Sequence, residues 1–309
     1  IALATGDPAK DQGASALGSA GQTVPGAAAE TVNVAEKDPY NVASIVLADG
    51  PAGLRLRSEY QVREDGSIDG GDFLDGFENG YFAEPKEPTG TVYHQYCTAI
   101  PVGTLLAQSW NLDLMKKLGQ MIAGEMNEFE VTLWLAPGMS LHRNPLCGRN
   151  FEYYSEDPLL AGMMASAMTL GVQSVPGCGT TIKHYACNNQ EDNRMGSDSI
   201  LSERTLREIY LKGFEIAICN AQPMAMMTSY NLINGVHAAN SYDICTKAAR
   251  DEWGFEGAIM TDWTTTTDST AGECTAAGCM KAGNDMVMPG DIRDHASIRQ
   301  ALEDGSLDI

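Results

Sequence analysis

The sequence lacks the features that mark disulfide-rich, zinc-binding and membrane-spanning proteins. Its eight cysteines are scattered along 309 residues without a Cys-x-x-Cys pair, which is too few for a disulfide scaffold and gives no zinc spacing. Some lie in apolar runs, as Cys219 and Cys245 do, so we expect reduced, buried thiols in a cytoplasmic protein. No apolar run reaches the roughly 18 residues that a membrane-spanning helix requires.

Basic residues are also scarce. The chain has 20 Lys and Arg against 41 Asp and Glu, which gives a formal net charge of −21. Such a field repels phosphate backbones and anionic lipids, so we expect neither a nucleic-acid partner nor a membrane partner. A neutral ligand such as a sugar is not repelled.

The signature motifs of several enzyme classes are missing. There is no Gly-x-Ser-x-Gly elbow, His-Glu-x-x-His, P-loop or EF-hand loop, and the sequence predicts neither a metal ion nor a cofactor. No Gly-x-Gly-x-x-Gly follows the first strand, which argues against a dinucleotide-binding fold.

Short apolar strands alternate with longer helical stretches along most of the chain. The predicted strands are Ser44–Ala48, Val131–Ala136, Thr180–Tyr185, Met224–Ser229, Ala258–Thr261 and Asp285–Met288. The predicted helices are Thr104–Asn127, Pro158–Ser174, Ser202–Asn220, Tyr242–Trp253, Thr270–Ala282 and Asp294–Glu303. Residues 61–90, rich in Gly, Asp, Glu and Pro, predict a long exposed loop.

Local signals support two of these helices. Asp157-Pro158 offers an N-cap followed by a proline at the first helical position. In the first helix Leu114, Leu118 and Ile122 recur every four residues, which predicts one apolar face.

This alternation indicates either a doubly wound sheet or a barrel. Nearly every strand ends in a polar cluster, and in a barrel those carboxyl ends ring one face, where active sites lie. We therefore predict an α/β fold, a (β/α)8 TIM-like barrel that is irregular or incomplete at the chain ends. Residues 1–40 would form a loop-rich entrance segment packed on the barrel domain 41–309. Since the chain starts without Met and stops soon after a helical stretch, we expect a fragment.

Asp262 is the most informative position, because it comes just past a buried strand and is followed by Trp263. The strand fixes such an acid at the rim of a pocket, and the indole offers an apolar face for a sugar ring. The other interpretation is an Asp that only caps the next turn.

Polar clusters also follow the remaining strands. Lys183 and His184 end one strand, and a buried pair of this kind requires a polar ligand or carboxylates nearby. The phenol of Tyr230 is placed to hydrogen-bond to the Asp262 carboxylate. Together the candidate residues can hydrogen-bond the hydroxyls of one pyranose and also provide a carboxylate nucleophile. They are Asp49, Arg149, Lys183, His184, Arg194, Tyr230 and Asp262.

These segments together resemble glycoside hydrolase family 3, in particular its β-glucosidase-like branch. The matching stretches are Leu47–Arg55, Gly148–Glu152, Lys183–Arg194, Ser229–Asn231 and Thr261–Trp263, with Glu203-Arg204, Leu206–Tyr210 and Ala282–Met286. They follow in order over most of the chain. The resemblance implies the barrel domain of a retaining β-glycosidase that removes terminal non-reducing β-D-glucosyl residues.

The resemblance also implies roles for individual residues. Asp262 would be the nucleophile that forms a covalent glycosyl–enzyme intermediate. Met227 and Tyr230 would flank it, and Trp263 would line the wall of the first subsite. The residues that would hold the sugar hydroxyls are Asp49, Arg55, Arg149, Lys183, His184 and Arg194.

Retaining hydrolysis needs a second carboxyl group, the general acid/base, about 5–5.5 Å from the nucleophile. In the branch that this chain resembles, it is a Glu from a separate α/β-sandwich domain, which this sequence does not contain. That domain is therefore an expected partner. The resemblance makes Glu152 and Glu191 structural residues bonded to Arg or Lys neighbours.

The expected substrate is a β-linked oligosaccharide or an aryl or alkyl β-glucoside. The protein is expected to be bacterial. Two alternatives stay open at this point. One is a β-xylosidase or arabinosidase of the same family, and the other is a non-catalytic sugar-binding barrel.

Overall fold

Short apolar segments build a central, mainly parallel sheet. The computed structural model describes residues 23–31, 43–69, 90–266 and 274–308. In chain order their strands are β1 Ala29–Glu30, β2 Val46–Ala48, β3 Glu59–Val62, β4 Ile68–Asp69, β5 Thr91–His94, β6 Leu133–Trp134, β7 Gly179–Tyr185, β8 Asp198–Ser199, β9 Ala225–Thr228, β10 Leu232–Ile233, β11 Val236–His237 and β12 Ala258–Met260. Six strands form the central sheet in the order β1-β2-β6-β7-β9-β12, and all but the pair β1–β2 are parallel.

Helices make the crossovers between the parallel strands, and the last two follow the final strand, β12. They are α1 Gly103–Gln108, α2 Leu112–Glu128, α3 Pro158–Val172, α4 Glu203–Thr205, α5 Lys212–Ala221, α6 Ala276–Ala282 and α7 Ile292–Glu303. Two π-helical segments, Leu206–Tyr210 and Asp243–Glu252, complete the crossovers into β9 and β12. Parallel strands joined by helical crossovers in this order form a TIM-barrel-like fold. None of these helices is long and apolar enough to cross a membrane.

The prediction of an α/β fold with a TIM-like barrel is confirmed as far as a TIM-barrel-like fold. One departure from a regular barrel is β1, which runs antiparallel to β2 and lies within the predicted entrance segment 1–40. The described residues supply six strands of the central sheet. Closure into eight units therefore stays a prediction, as do the boundaries 1–40 and 41–309.

Five of the six predicted strands are present at their predicted places. The sixth, Asp285–Met288, is wrong as a strand, because only a single parallel bridge joins Met260 and Met286 there. The Asp285 carboxylate accepts a hydrogen bond from the Ile259 N–H at 2.7 Å. The Asp285 side chain thus binds a backbone N–H that would otherwise donate to a carbonyl group of a neighbouring strand.

The predicted loop 61–90 is wrong over residues 61–69. There β3 and β4 form an antiparallel hairpin, and β3 also pairs with β5. Its turn uses Gly66, with a φ of 81°, and Asp65, whose carboxylate accepts the Ser67 N–H at 2.9 Å. Gly and Asp mark a tight turn here. Positions 70–89 lie outside the described residues.

The predicted helix Thr104–Asn127 is two helices, α1 and α2. They are separated at Trp110, whose φ of 51° no helix allows. The Asn111 side chain then caps α2 by accepting the Leu114 N–H at 2.9 Å, which is a favoured use of Asn.

The remaining helix predictions are correct to within about a turn. Asp157-Pro158 starts α3 as predicted. The predicted helix Ser202–Asn220 forms α4, a π-helical segment and α5, and Tyr242–Trp253 is π-helical. The described part of Thr270–Ala282 becomes helical only after Thr275, which caps α6; residues 270–273 lie outside the described ranges. The last predicted helix is α7.

Successive residues of each strand point to opposite faces of the sheet. Val46 and Met226 belong to the larger core cluster, which the helices cover. Their neighbours Leu47 and Met227 belong to a second cluster on the other face. Both faces are therefore buried, as expected for parallel strands, and polar side chains gather at the strand ends.

Candidate active site

One cavity at the carboxyl ends of the strands collects every predicted site residue. Its volume is about 990 Å³. Asp49 follows β2, the pair Lys183-His184 lies in β7, and Asp262 follows β12. The predicted residues among those lining the cavity are Asp49, Arg55, Arg149, Lys183, His184, Arg194, Met227, Tyr230, Asp262 and Trp263. The sheet thus brings together segments that are more than 200 positions apart in the sequence.

Asp49 is the centre of a charge network on one wall. Its carboxylate accepts from Lys183 Nζ at 2.9 Å and from Arg55 Nη2 at 2.7 Å. Burial by itself would raise the pKa of this carboxyl, but the two cations hold it well below its ordinary value. Asp49 is therefore ionised at neutral pH and acts as a hydrogen-bond acceptor.

Arg149 and Glu152 form the adjacent part of the wall. Arg149 donates from Nε and Nη2 to the two carboxylate oxygens of Glu152 at 2.7 and 2.8 Å. Lys183 Nζ lies 3.9 Å from the same carboxylate. This two-pronged pairing orients the guanidinium, so Glu152 serves Arg149, as the resemblance implied.

Asp262 lies in the middle of the ring, with 10% of its side chain exposed. Oδ1 accepts the Trp263 N–H at 2.7 Å, so the carboxylate does bind local backbone. It is more than a turn cap, because Oδ2 is buried 3.5 Å from His184 Nε2 and has no hydrogen bond of normal geometry from the described residues. Burial raises the pKa of Asp262, and Arg149, Lys183 and the Tyr230 hydroxyl oppose the rise.

His184 is neutral at neutral pH. Burial and the cations Arg149, Lys183 and Arg194 hold its pKa well below the ordinary value of 6.5. Nδ1 lies 3.0 Å from the hydroxyl of Tyr153, a residue for which the sequence predicts no role. Tyr153 adjoins the motif that ends at Glu152, so position alone gave a weak signal for it.

Arg194 is held in place by Glu191 and by Tyr230. Its Nη1 donates to Glu191 at 3.0 Å, and its guanidinium lies over the Tyr230 ring at 4.5 Å. Glu191 also accepts from the Asn188 amide at 3.1 Å. Glu191 is therefore structural, as the resemblance implied, and Asn188 is a second residue to which the sequence assigned no role.

Aromatic side chains complete the cavity. Trp263 packs with the second core cluster and lines the wall next to Asp262. Two further lining residues, Tyr96 and Phe151, keep 71% and 55% of their surface exposed. Apolar ring faces beside charged hydrogen-bonding groups suit the two kinds of surface that a sugar presents.

A TIM-barrel-like sheet with a buried carboxylate, cations and indole at its carboxyl edge has the features of the glycoside hydrolase class. The sequence model of the "Glycosyl hydrolase family 3 N terminal domain" matches residues 84–308. The chain therefore belongs to glycosyl hydrolase family 3.

Parts of this chain are similar to curated glycosidases. Beta-glucosidase A of Butyrivibrio fibrisolvens is 51% identical over 166 residues, which are 54% of this chain and 20% of that protein. An exo-alpha-(1->6)-L-arabinopyranosidase of Bifidobacterium breve is 44% identical over 210 residues, or 68% of this chain and 27% of that protein. The chain thus spans about a fifth to a quarter of the length of these relatives.

The fold is also found in solved structures. Beta-glucosidase 3B from Thermotoga neapolitana in complex with alpha-D-glucose matches with a TM-score of 0.75 and 42% identity. The match covers 92% of this chain and 36% of that one.

Proposed function

We propose that this chain is the barrel domain of a retaining β-glucosidase in which Asp262 is the nucleophile. The observation that supports this most is the Asp262 carboxylate, buried at the end of β12 inside a cavity ringed by Arg149, Lys183 and His184. In such a mechanism the carboxylate attacks the anomeric carbon as the leaving group departs, and water then hydrolyses the glycosyl ester.

The charged wall supplies groups that match sugar hydroxyls. The ionised Asp49 accepts, while Lys183, Arg149 and Arg194 donate. Each of these side chains is oriented by an ion pair within the protein, which lowers the entropic cost of ordering it on a ligand. Trp263 would stack on one face of the ring. We infer a terminal β-glucoside as substrate, a β-linked oligosaccharide or an aryl or alkyl β-glucoside.

We infer that the general acid is not one of the described residues that line the cavity. Among the described residues, the carboxylates that line the cavity beside Asp262 are each paired with a cation, Asp49 with Lys183 and Glu152 with Arg149. The cations lower the pKa of the Asp49 carboxyl, which makes it a poor proton donor, and both oxygens of the Glu152 carboxylate accept from Arg149. We therefore propose that the acid/base residue belongs to the α/β-sandwich domain of the full-length protein.

A pentose-specific enzyme is the second candidate. It is favoured by the 44% identity to the arabinopyranosidase of Bifidobacterium breve. A pentopyranose lacks the hydroxymethyl group at C6, so a β-xylosidase or arabinosidase would use the same nucleophile with a different fit at that position.

A covalent-labelling experiment tests this proposal without the general acid. The protein is incubated with 2,4-dinitrophenyl 2-deoxy-2-fluoro-β-D-glucoside, whose leaving group departs without protonation, and the adduct is located by intact mass and peptide mapping. One equivalent on Asp262 is the expected result. An adduct formed faster from the xyloside or α-L-arabinopyranoside analogue would favour the second candidate. Sugar binding with no adduct from any analogue would instead indicate a non-catalytic sugar-binding barrel.

A further inference from the structure

We propose that Tyr153 and Asn188 are positioning residues that fix the tautomer of His184, so that the Nε2 proton points at the Asp262 carboxylate. The catalytic consequence of this arrangement depends on the proposed function, whereas the tautomer itself does not. Neither Tyr153 nor Asn188 lines the cavity, so any effect they have must pass through His184.

Two hydrogen bonds fix the orientation of the Asn188 amide. Its Nδ2 donates to Glu191 Oε1 at 3.1 Å and to Tyr153 Oη at 2.9 Å. A carboxylate such as Glu191 only accepts hydrogen bonds, so the amide nitrogen, and not the amide oxygen, must face it. Both protons of that nitrogen are thereby used, and one occupies a lone pair of the Tyr153 hydroxyl.

The Tyr153 hydroxyl then has one proton to donate. Tyr153 is fully buried, so this proton needs an acceptor inside the protein. His184 Nδ1 lies 3.0 Å away. If Nδ1 carried a proton instead, the phenol oxygen would receive two donors and its own proton would have no acceptor among the described residues.

The tautomer of His184 follows from the contacts of its two ring nitrogens. An accepting Nδ1 in a neutral imidazole leaves the proton on Nε2, and Nε2 lies 3.5 Å from Asp262 Oδ2. The opposite tautomer would place a lone pair against the lone pairs of the carboxylate. The Nε2–H donor therefore faces the one Asp262 oxygen that has no normal hydrogen bond from the described residues.

The arrangement gives the proposed nucleophile a neutral donor. A cation at this place would lower the basicity of Asp262, whereas a neutral N–H orients the carboxylate at a smaller cost in nucleophilicity. Contacts of this kind are often long in the empty enzyme and shorten when substrate is bound.

Nitrogen NMR of the five histidine rings tests the tautomer directly in the intact chain. We expect the His184 signals to show a protonated Nε2 and an unprotonated Nδ1 near neutral pH. A protonated Nδ1, alone or as part of an imidazolium, would overturn the inference. In Tyr153→Phe the Nδ1 signal should shift, because its donor is lost, and an unchanged spectrum would equally overturn it.

Labelling with the fluoroglucoside tests the catalytic consequence. Tyr153→Phe should form the Asp262 adduct about three- to tenfold more slowly, the usual range for one lost hydrogen bond. The matched control is Tyr154→Phe, since Tyr154 is also buried and no described hydrogen bond joins its hydroxyl to His184 or Asn188. Equal rates in the two variants would contradict a positioning role. If the unmodified chain forms no adduct, the proposed function fails, and the NMR result still decides the tautomer.

Discussion

Lys183 places its ammonium group where only 4% of the side chain is exposed. Removing such an ion from water costs several kcal/mol unless partners compensate for it. Asp49 at 2.9 Å and Glu152 at 3.9 Å do so here. Their three side chains are tied to one another before any ligand arrives, and a hydroxyl that binds between them meets charges already in place.

Lys183→Ala should weaken glucose binding, measured by calorimetry, by roughly 10- to 100-fold, because one charge-assisted hydrogen bond is lost. The matched control is Lys212→Ala, a half-exposed lysine paired with Glu215 on α5, for which the affinity should stay the same. If the two variants bind glucose equally well, Lys183 lies outside the first subsite.

Asp262→Ala should abolish labelling by the fluoroglucoside and leave the free energy of unfolding undiminished. Burial raises the pKa of this carboxyl, which means that the ionised group costs folding energy that alanine does not. Asp251→Ala, which removes an exposed carboxylate, should label like the unmodified chain. A full adduct on the Asp262→Ala variant would refute its role as nucleophile.

At the scale of elements, the helices around the sheet pack closely because small residues meet. Gly171 of α3 faces α2 so closely that a Cβ atom added there would lie 2.2 Å from the Lys116 carbonyl oxygen. Gly124 on the exposed side of α2 has no atom within 4 Å of such a Cβ. The packing of α2 against α3 therefore leaves no room for a side chain at Gly171, whereas the surface at Gly124 does.

Gly171→Ala should lower the free energy of unfolding by about 1–3 kcal/mol, the usual cost of overpacking, because backbone must move. Gly124→Ala should raise it by about 0.5–1 kcal/mol, since alanine loses less entropy in a helix. Urea unfolding followed by circular dichroism measures both. A stabilised Gly171→Ala variant would show that α2 and α3 are not packed as described.

Local sequence signals predict a helix or strand well when the contacts that start or end it are also local. Asp157-Pro158 starts α3 because a cap bonds to the next turn whatever surrounds it. The break at Trp110 has no such signal, and neither does the Asp285 carboxylate, whose partner Ile259 is 26 positions away. Such features depend on packing between distant segments.

At the scale of the whole molecule, burial of titratable groups links stability to pH. The pKa of His184 is lowered in the folded chain, so below about pH 6.5 the unfolded state binds a proton that the folded state refuses. Asp49, with a lowered pKa, adds stability above its unfolded value of 3.8 that is lost in stronger acid. Asp262, with a raised pKa, acts in the opposite sense.

The lowered pKa of His184 should therefore reduce the free energy of unfolding as the pH falls below about 6.5, by up to about 1.4 kcal/mol per pH unit. Urea titrations at a series of pH values measure this slope, and His184→Gln should lack that contribution. An equal slope in the variant would contradict the assignment. NMR titration of the ring in the unmodified chain gives an independent check, because the folded ring should take up its proton only at a pH below the ordinary value of 6.5.

The sequence by itself determined which types of side chain the site contains and their order along the chain. Motif residues such as Lys183, His184 and Asp262 lie at or just past the ends of strands, and strand ends meet at one edge of a parallel sheet. Tertiary structure alone decided which groups pair, as Lys183 does with Asp49 across 134 positions. It also decided that Tyr153 and Asn188 support His184. The reason is physical: burial and hydrogen-bond partners depend on which segments the fold brings together, and local patterns carry no information about that.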